Sequence, residues 1–276
     1  MRYTLKSSKY IVKNFFYLIP FAIIPAFFCA LSIDGEAIFC AIESFFNGTL
    51  TEWHFFHLFR AVSIFNFSSL ETSIGGVLAI PVIILSTALL LALLDKHMRF
   101  GKRTYNGIFS KLNDNFVSTC GYVVLLLVLY EVWALITSAF LFLFSRITDV
   151  WLAYTLVCLS FVAMHVVLIY AISFIYLWLP CMQITGFKAS EALYYSHQLM
   201  APIKWKILVS QVVLLLGTET LVTVCAWFLY EYVIWFIIIA TLFCAGLLLV
   251  YCVRMMTVYF DRDNIERADL MKYYQR

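Results

Sequence analysis

The chain contains six runs of roughly 20 or more predominantly apolar residues, at 15–33, 74–94, 118–144, 151–179, 207–228 and 233–259. A run of about 20 such residues is what an α-helix needs to cross a bilayer core of about 30 Å. Lipid offers no partner for backbone N–H and C=O groups, so each run must satisfy its own as a helix. The period-two alternation of a membrane barrel strand is not seen. Composition agrees: only 13% of residues are charged and 64% are hydrophobic, whereas about a quarter are charged in soluble domains. The expected fold is an all-α integral membrane protein, one transmembrane domain over 1–276, with its six helices grouped as three hairpins (1–94, 95–180 and 181–276).

Basic residues provide an independent test of the span count, because cytoplasmic segments collect Lys and Arg. Of the 19 basic residues, only Arg60 and Arg146 fall in the connections of the opposite side. This places both termini in the cytoplasm of a cell-membrane protein. The net charge of +3 follows from that orientation and does not suggest a nucleic-acid partner. The first run follows a basic start, as a signal peptide does. It exceeds the usual 7–15 apolar residues and contains Pro20 and Pro25, so it reads as a retained span.

Between the spans, 106–117 and 190–200 read as interfacial helices on the cytoplasmic side, the second with Ser190 as N-cap and Pro202 as its stop. Aligning Glu131 with Glu219 brings these two segments into rough register, as an internal repeat would. The segment 34–73 is crowded with aromatics. Ile38, Ile42, Phe45 and Phe46 follow helical spacing there, which predicts an amphipathic piece on the outer surface or a cap on the bundle. It carries two glycosylation sequons, at Asn47 and Asn66. The eight cysteines lack CxxC or zinc-type spacing and read as small apolar residues, a Cys29–Cys40 bridge being the one pairing considered. Gly75, Gly76, Ala79, Ala88 and Ala92 set small residues along span two, a sign of close helix packing.

No segment outside the spans exceeds about 40 residues, too few for an independent core, and no P-loop, HExxH or GxSxG is present. An enzyme, a cofactor and ATP hydrolysis by the chain itself are therefore not expected. His54 and His57 stand three apart, the spacing of two metal ligands on a helix, but a site needs at least one more ligand, and interfacial aromatic residues are the plainer reading.

Three ionisable residues lie near the middle of their spans: Glu131, His165 and Glu219. At about 1.5 Å per residue they share one depth. Ionisable groups inside a membrane mark binding sites or proton relays by default; the competing reading is that each carboxyl is protonated and joins helices by hydrogen bonds. Arg254 is a candidate counter-ion for Glu219, against the alternative that it snorkels to the inner surface.

The stretch 179–216 ends a span, turns, forms a short helix with Glu191, Ala192, Leu193, Ser196 and Leu199, and begins another span. It resembles the membrane domain beside some bacterial glycerophosphodiester phosphodiesterases and the related YciC-like and YesL-like families. The resemblance implies a bacterial polytopic protein and no activity. Two functions are thus expected: a transporter or transporter subunit for a small molecule or lipid, partnered by the bilayer and by a cytoplasmic ATPase or another membrane subunit, or a non-transporting scaffold.

Overall fold

The structure is a computed structural model that describes residues 2–270, all of whose regular elements are helical. Six helices are long and apolar enough to cross a membrane: α2 (Phe15–Ser32), α5 (Leu70–Phe100), α6 (Ile108–Ser145), α7 (Val150–Ile175), α10 (Lys204–Leu229) and α11 (Val233–Arg262). Shorter helices join them: α1 (Arg2–Lys13), α3 (Gly35–Phe46), α4 (Phe55–Val62), the single turn α8 (Trp178–Pro180) and α9 (Ala189–Met200). In contact order the long helices close a ring: α2 on α5, α5 on α6, α6 on α7, α7 on α10, α10 on α11, and α11 back on α2.

The tightest seam joins α2 to α5. Ala22, Ala26 and Ala30 recur every four residues on one face of α2 and are fully buried. At the end of α2, Gly75 of α5 comes so close that a Cβ placed there would sit 2.8 Å from Leu31 Cβ and 3.0 Å from the Leu31 and Ser32 backbone. Small residues at helical spacing let backbones approach to this distance. Pro20 and Pro25 both lie within α2.

The end of the molecule carrying α1, the α5–α6 connection and α9 holds most of the basic residues and is called the basic end. Here α1 packs on α11, and Asn14 separates it from α2, its side-chain amide donating to the Tyr10 carbonyl. The segment 106–117 does not form a helix of its own: from Ile108 it is continuous with the third span as one 38-residue helix. No proline or glycine stands between 108 and 120 to stop it, whereas Pro202 separates α9 from α10. The register between the two segments therefore holds in sequence but not in structure. The regular helix of span four stops at Ile175, and the span continues through α8, which holds Pro180 with no N–H to donate, and a π-turn, Cys181–Thr185. α9 is tied to α11 through Asp263, which accepts from Tyr195 and from Tyr259 Oη (2.7 Å).

At the far end, 34–69 is a packed cap. Leu50, Trp53 and Leu58 are buried with Leu141, Ala153 and Val157 of α6 and α7, and Ile38 with Val222, Ala226 and Phe236 of α10 and α11. Phe46 points outward, apart from the face it was expected to share. Asp34 caps α3 by accepting from the Ala37 N–H (3.0 Å) and also accepts from Arg60 Nη2 (2.5 Å) and Ser68 Oγ (2.8 Å). Burial pushes the Asp34 carboxyl up, but these donors outweigh it and hold it below the usual range. Asn66 is buried, its amide donating to the Ser32, Arg60 and Ser63 carbonyls, so its sequon is closed to a glycan. Cys29 and Cys40 are both free.

Candidate functional site

Glu131, His165 and Glu219 project from α6, α7 and α10, and the structure joins only two of them directly. His165 is fully buried, and its Nε2 lies 2.5 Å from Glu219 Oε2. Its Nδ1 lies 2.7 Å from the Phe161 carbonyl. A carbonyl can only accept, so Nδ1 carries a hydrogen and the neutral ring presents a lone pair at Nε2. One proton can therefore occupy the Nε2–Oε2 axis. With it the pair is neutral overall, as His and COOH or as imidazolium and carboxylate; without it the pair carries one negative charge.

The imidazole is fixed by aromatic walls. Trp133 of α6 meets it edge to face at 4.7 Å and Phe161 lies tilted at 4.4 Å. Trp133 is held in turn by its Nε1, which donates to the Met164 carbonyl across α7 (2.7 Å). Glu219 is less confined: Oε2 is taken by His165, while Oε1 is buried with no hydrogen-bond partner among the described residues. Tyr130, one residue before Glu131, lies within electrostatic range of both glutamates, its hydroxyl donating to the Val62 carbonyl (3.1 Å). Sequence reasoning missed Trp133 and Tyr130. Their only signal was aromatic character beside Glu131, in a chain where aromatics are everywhere.

Glu131 serves a different purpose. Its carboxylate accepts from Ser63 Oγ (2.7 Å) and the Phe65 N–H (3.3 Å), with the Ile64 N–H also directed at it. It thus caps the open turn after α4 and pins the far-end cap to the middle of α6. The rotation of α6 about its axis sends Glu131 to this loop and not to His165.

Arg254 is not the counter-ion of Glu219. It is fully buried in α11, with Nε donating to Tyr176 Oη (3.1 Å) and Nη1 to Ser210 Oγ (2.8 Å). Glu219 lies nine residues beyond Ser210 on α10, about 13 Å further along the helix. Nor does Arg254 reach the surface. His54 and His57 face each other edge to face at 5.9 Å, and among the described residues no three His, Cys, Asp or Glu side chains are grouped to hold a metal ion.

In comparisons with known proteins, no family model, curated protein or solved structure matches the chain.

Proposed function

We propose that this multi-pass membrane protein is a transporter or a transporter subunit for a small molecule or lipid, with its basic end in the cytoplasm of a cell membrane and the His165–Glu219 pair as its proton-handling element. The observation that carries the reading is the unsatisfied Oε1 of Glu219, beside an Oε2 whose proton is shared with a buried imidazole. A group used only to join helices gains most with both oxygens satisfied, as Glu131 is. A group that must exchange a proton or meet a cargo keeps one oxygen available. The basic residues support the orientation through the preference of cytoplasmic segments for Lys and Arg. In the subunit version, α9 is the element that meets a cytoplasmic ATPase; co-purification of an ATPase with the wild-type chain would support it.

The scaffold reading is favoured by one observation, the full engagement of Glu131 with residues 63–65. The two readings separate in E219Q and E131Q. Infrared difference spectra across a pH jump should show a carboxyl C=O band that disappears in E219Q and persists in E131Q, and proton movement in proteoliposomes should fall with it. If E219Q folds normally and leaves both the band and the proton movement unchanged, the relay is refuted.

A further inference from the structure

Arg254 sits at the basic end, apart from the His165–Glu219 pair, in a group of polar side chains that do not satisfy one another. Among the described residues its guanidinium has no carboxylate partner, and its Nη2 makes no hydrogen bond. Gln211, 3% exposed and next to Ser210 on α10, leaves both its amide nitrogen and its amide oxygen unpaired. Thr257 is one helical turn from Arg254 on α11, and its hydroxyl is buried and unpaired. Tyr176 links the group, accepting from Arg254 Nε and lying near the Gln211 amide without a hydrogen bond to it.

A buried charge without a partner and buried donors without acceptors are among the costliest features a fold can keep. Removing either Arg254 or Gln211 in favour of an apolar residue would relieve that cost, so their presence asks for an occupant. Arg254 Nη2 and the Gln211 amide nitrogen can only donate, the Thr257 hydroxyl can donate or accept, and the Gln211 oxygen alone is restricted to accepting; around one positive charge, that set suits an anion. A carboxylate offers two oxygens, whereas a phosphate group offers more acceptors in a tetrahedral arrangement that suits donors converging from several helices.

We propose that Arg254, Gln211 and Thr257 form a binding site for a phosphate group, reached from the basic end when α1 moves aside. α1 lies over the cluster: Thr4 Oγ1 is 2.5 Å from Ser210 Oγ, and Ser7, one turn on, holds another buried hydroxyl with no partner. Outside the cluster the first turns of α1 are fastened to α11 by exposed contacts to Asp261, from Tyr3 Oη (2.6 Å) and Lys6 Nζ (3.3 Å), while its last turn is anchored by the buried Tyr10, whose hydroxyl lies 2.5 Å from His97 Nδ1. Exposed pairs of this kind open at little cost. Lys206, one turn before Ser210 on α10, and Lys6 and Lys9 on α1 bring positive charge to this end, with Asp261 as the acidic group beside Lys6.

The phosphate has two possible sources, a free ion or a lipid headgroup, and one experiment distinguishes them. The full chain is purified in uncharged detergent without phosphate, and its melting is followed by tryptophan fluorescence as inorganic phosphate is added. In parallel, it is placed in phosphatidylcholine nanodiscs with and without phosphatidylglycerol, and lipid retained on release is weighed by native mass spectrometry. A saturable rise in Tm with inorganic phosphate assigns the site to a free anion; selective retention of phosphatidylglycerol without that rise assigns it to a headgroup. In either arm Q211L, which retains the charge, should weaken binding about tenfold or more, and R254M should abolish it. If neither ligand binds, or if Q211L binds both as the wild type does, the proposal is overturned, whether or not R254M folds.

Discussion

The seam between α2 and α5 allows a substitution whose effect can be worked out atom by atom. In G75A the new Cβ would stand 2.8 Å from Leu31 Cβ and 3.0 Å from the Leu31 carbonyl carbon and the Ser32 nitrogen. Two of these three atoms are backbone, so no rotamer change relieves the clash and α2 itself must move. Inserting a carbon into a packed interface costs about 1–3 kcal/mol, against which alanine gains about 0.8–1.0 kcal/mol over glycine in helix propensity. The second effect can be removed by measurement: Gly121 lies within α6, and a Cβ added there would meet nothing within 4 Å, so G121A isolates the propensity gain. The stability difference between G121A and G75A should therefore be about 1–3 kcal/mol in favour of G121A, read by reversible unfolding of the detergent-solubilised protein. Equal stability of the two variants would mean that α2 and α5 do not approach as closely as the structure places them.

Three further outcomes are expected. The folded Asp34 carboxyl is held below its ordinary value, so its contribution is fully present above the unfolded pKa of about 3.9. It is lost as pH falls through the folded value; D34N, which keeps an N-cap acceptor, should abolish that acid-side loss in a stability–pH profile and cost about 1–2 kcal/mol at neutral pH through the weakened bonds from Arg60 and Ser68. D263N should loosen α9, since Asp263 receives hydroxyls from both α9 and α11; hydrogen exchange should rise over 189–200 and stay unchanged in α3, while uniform exchange would refute the link. W133F removes the bond to the Met164 carbonyl but keeps an aromatic wall on His165. It should destabilise by about 1 kcal/mol and broaden the imidazole signals in NMR spectra of histidine-labelled protein, which W133F leaves sharp only if Trp133 does not position the ring.

The long helices were legible because their cause is local: apolar length alone forces a helix in lipid, and the six runs each fall on a helix. Their ends were less legible where continuation depends on the absence of a breaker. Span three reaches back to Ile108 because nothing interrupts it, and in α1 the basic residues speak first of orientation, although Tyr3, Ser7 and Tyr10 recur at helical spacing. The positions of Glu131, His165 and Glu219 midway along their runs could also be counted along the chain, since rise per residue is nearly constant. Their partners could not. Partnership depends on how each helix is rotated about its axis, and in apolar runs the polar face that would report rotation is nearly absent. Glu131 and Trp133 stand two residues apart on α6, so they face different directions, and only Trp133 turns to His165.

The same contrast bears on what the buried polar groups are for. Glu131 lies among donors that fill its carboxylate, and its removal would leave the donors of the 63–65 turn without that acceptor; its value is to the fold. Glu219 and Arg254 each keep one atom unmatched, yet they stand about 13 Å apart along the bundle and carry opposite charges. Had they met, each would have satisfied the other and neither would need an occupant. Tyr176 and Ser210 hold the guanidinium at the basic end, and His165 holds the carboxylate at mid-depth, so the two groups cannot cancel without a large shift of α11 against α10. The fold thus keeps two separate unmatched groups on adjoining helices. In the reading proposed above, one handles a proton and the other an anion, and any motion of α10 against α11 that serves one site is felt at the other.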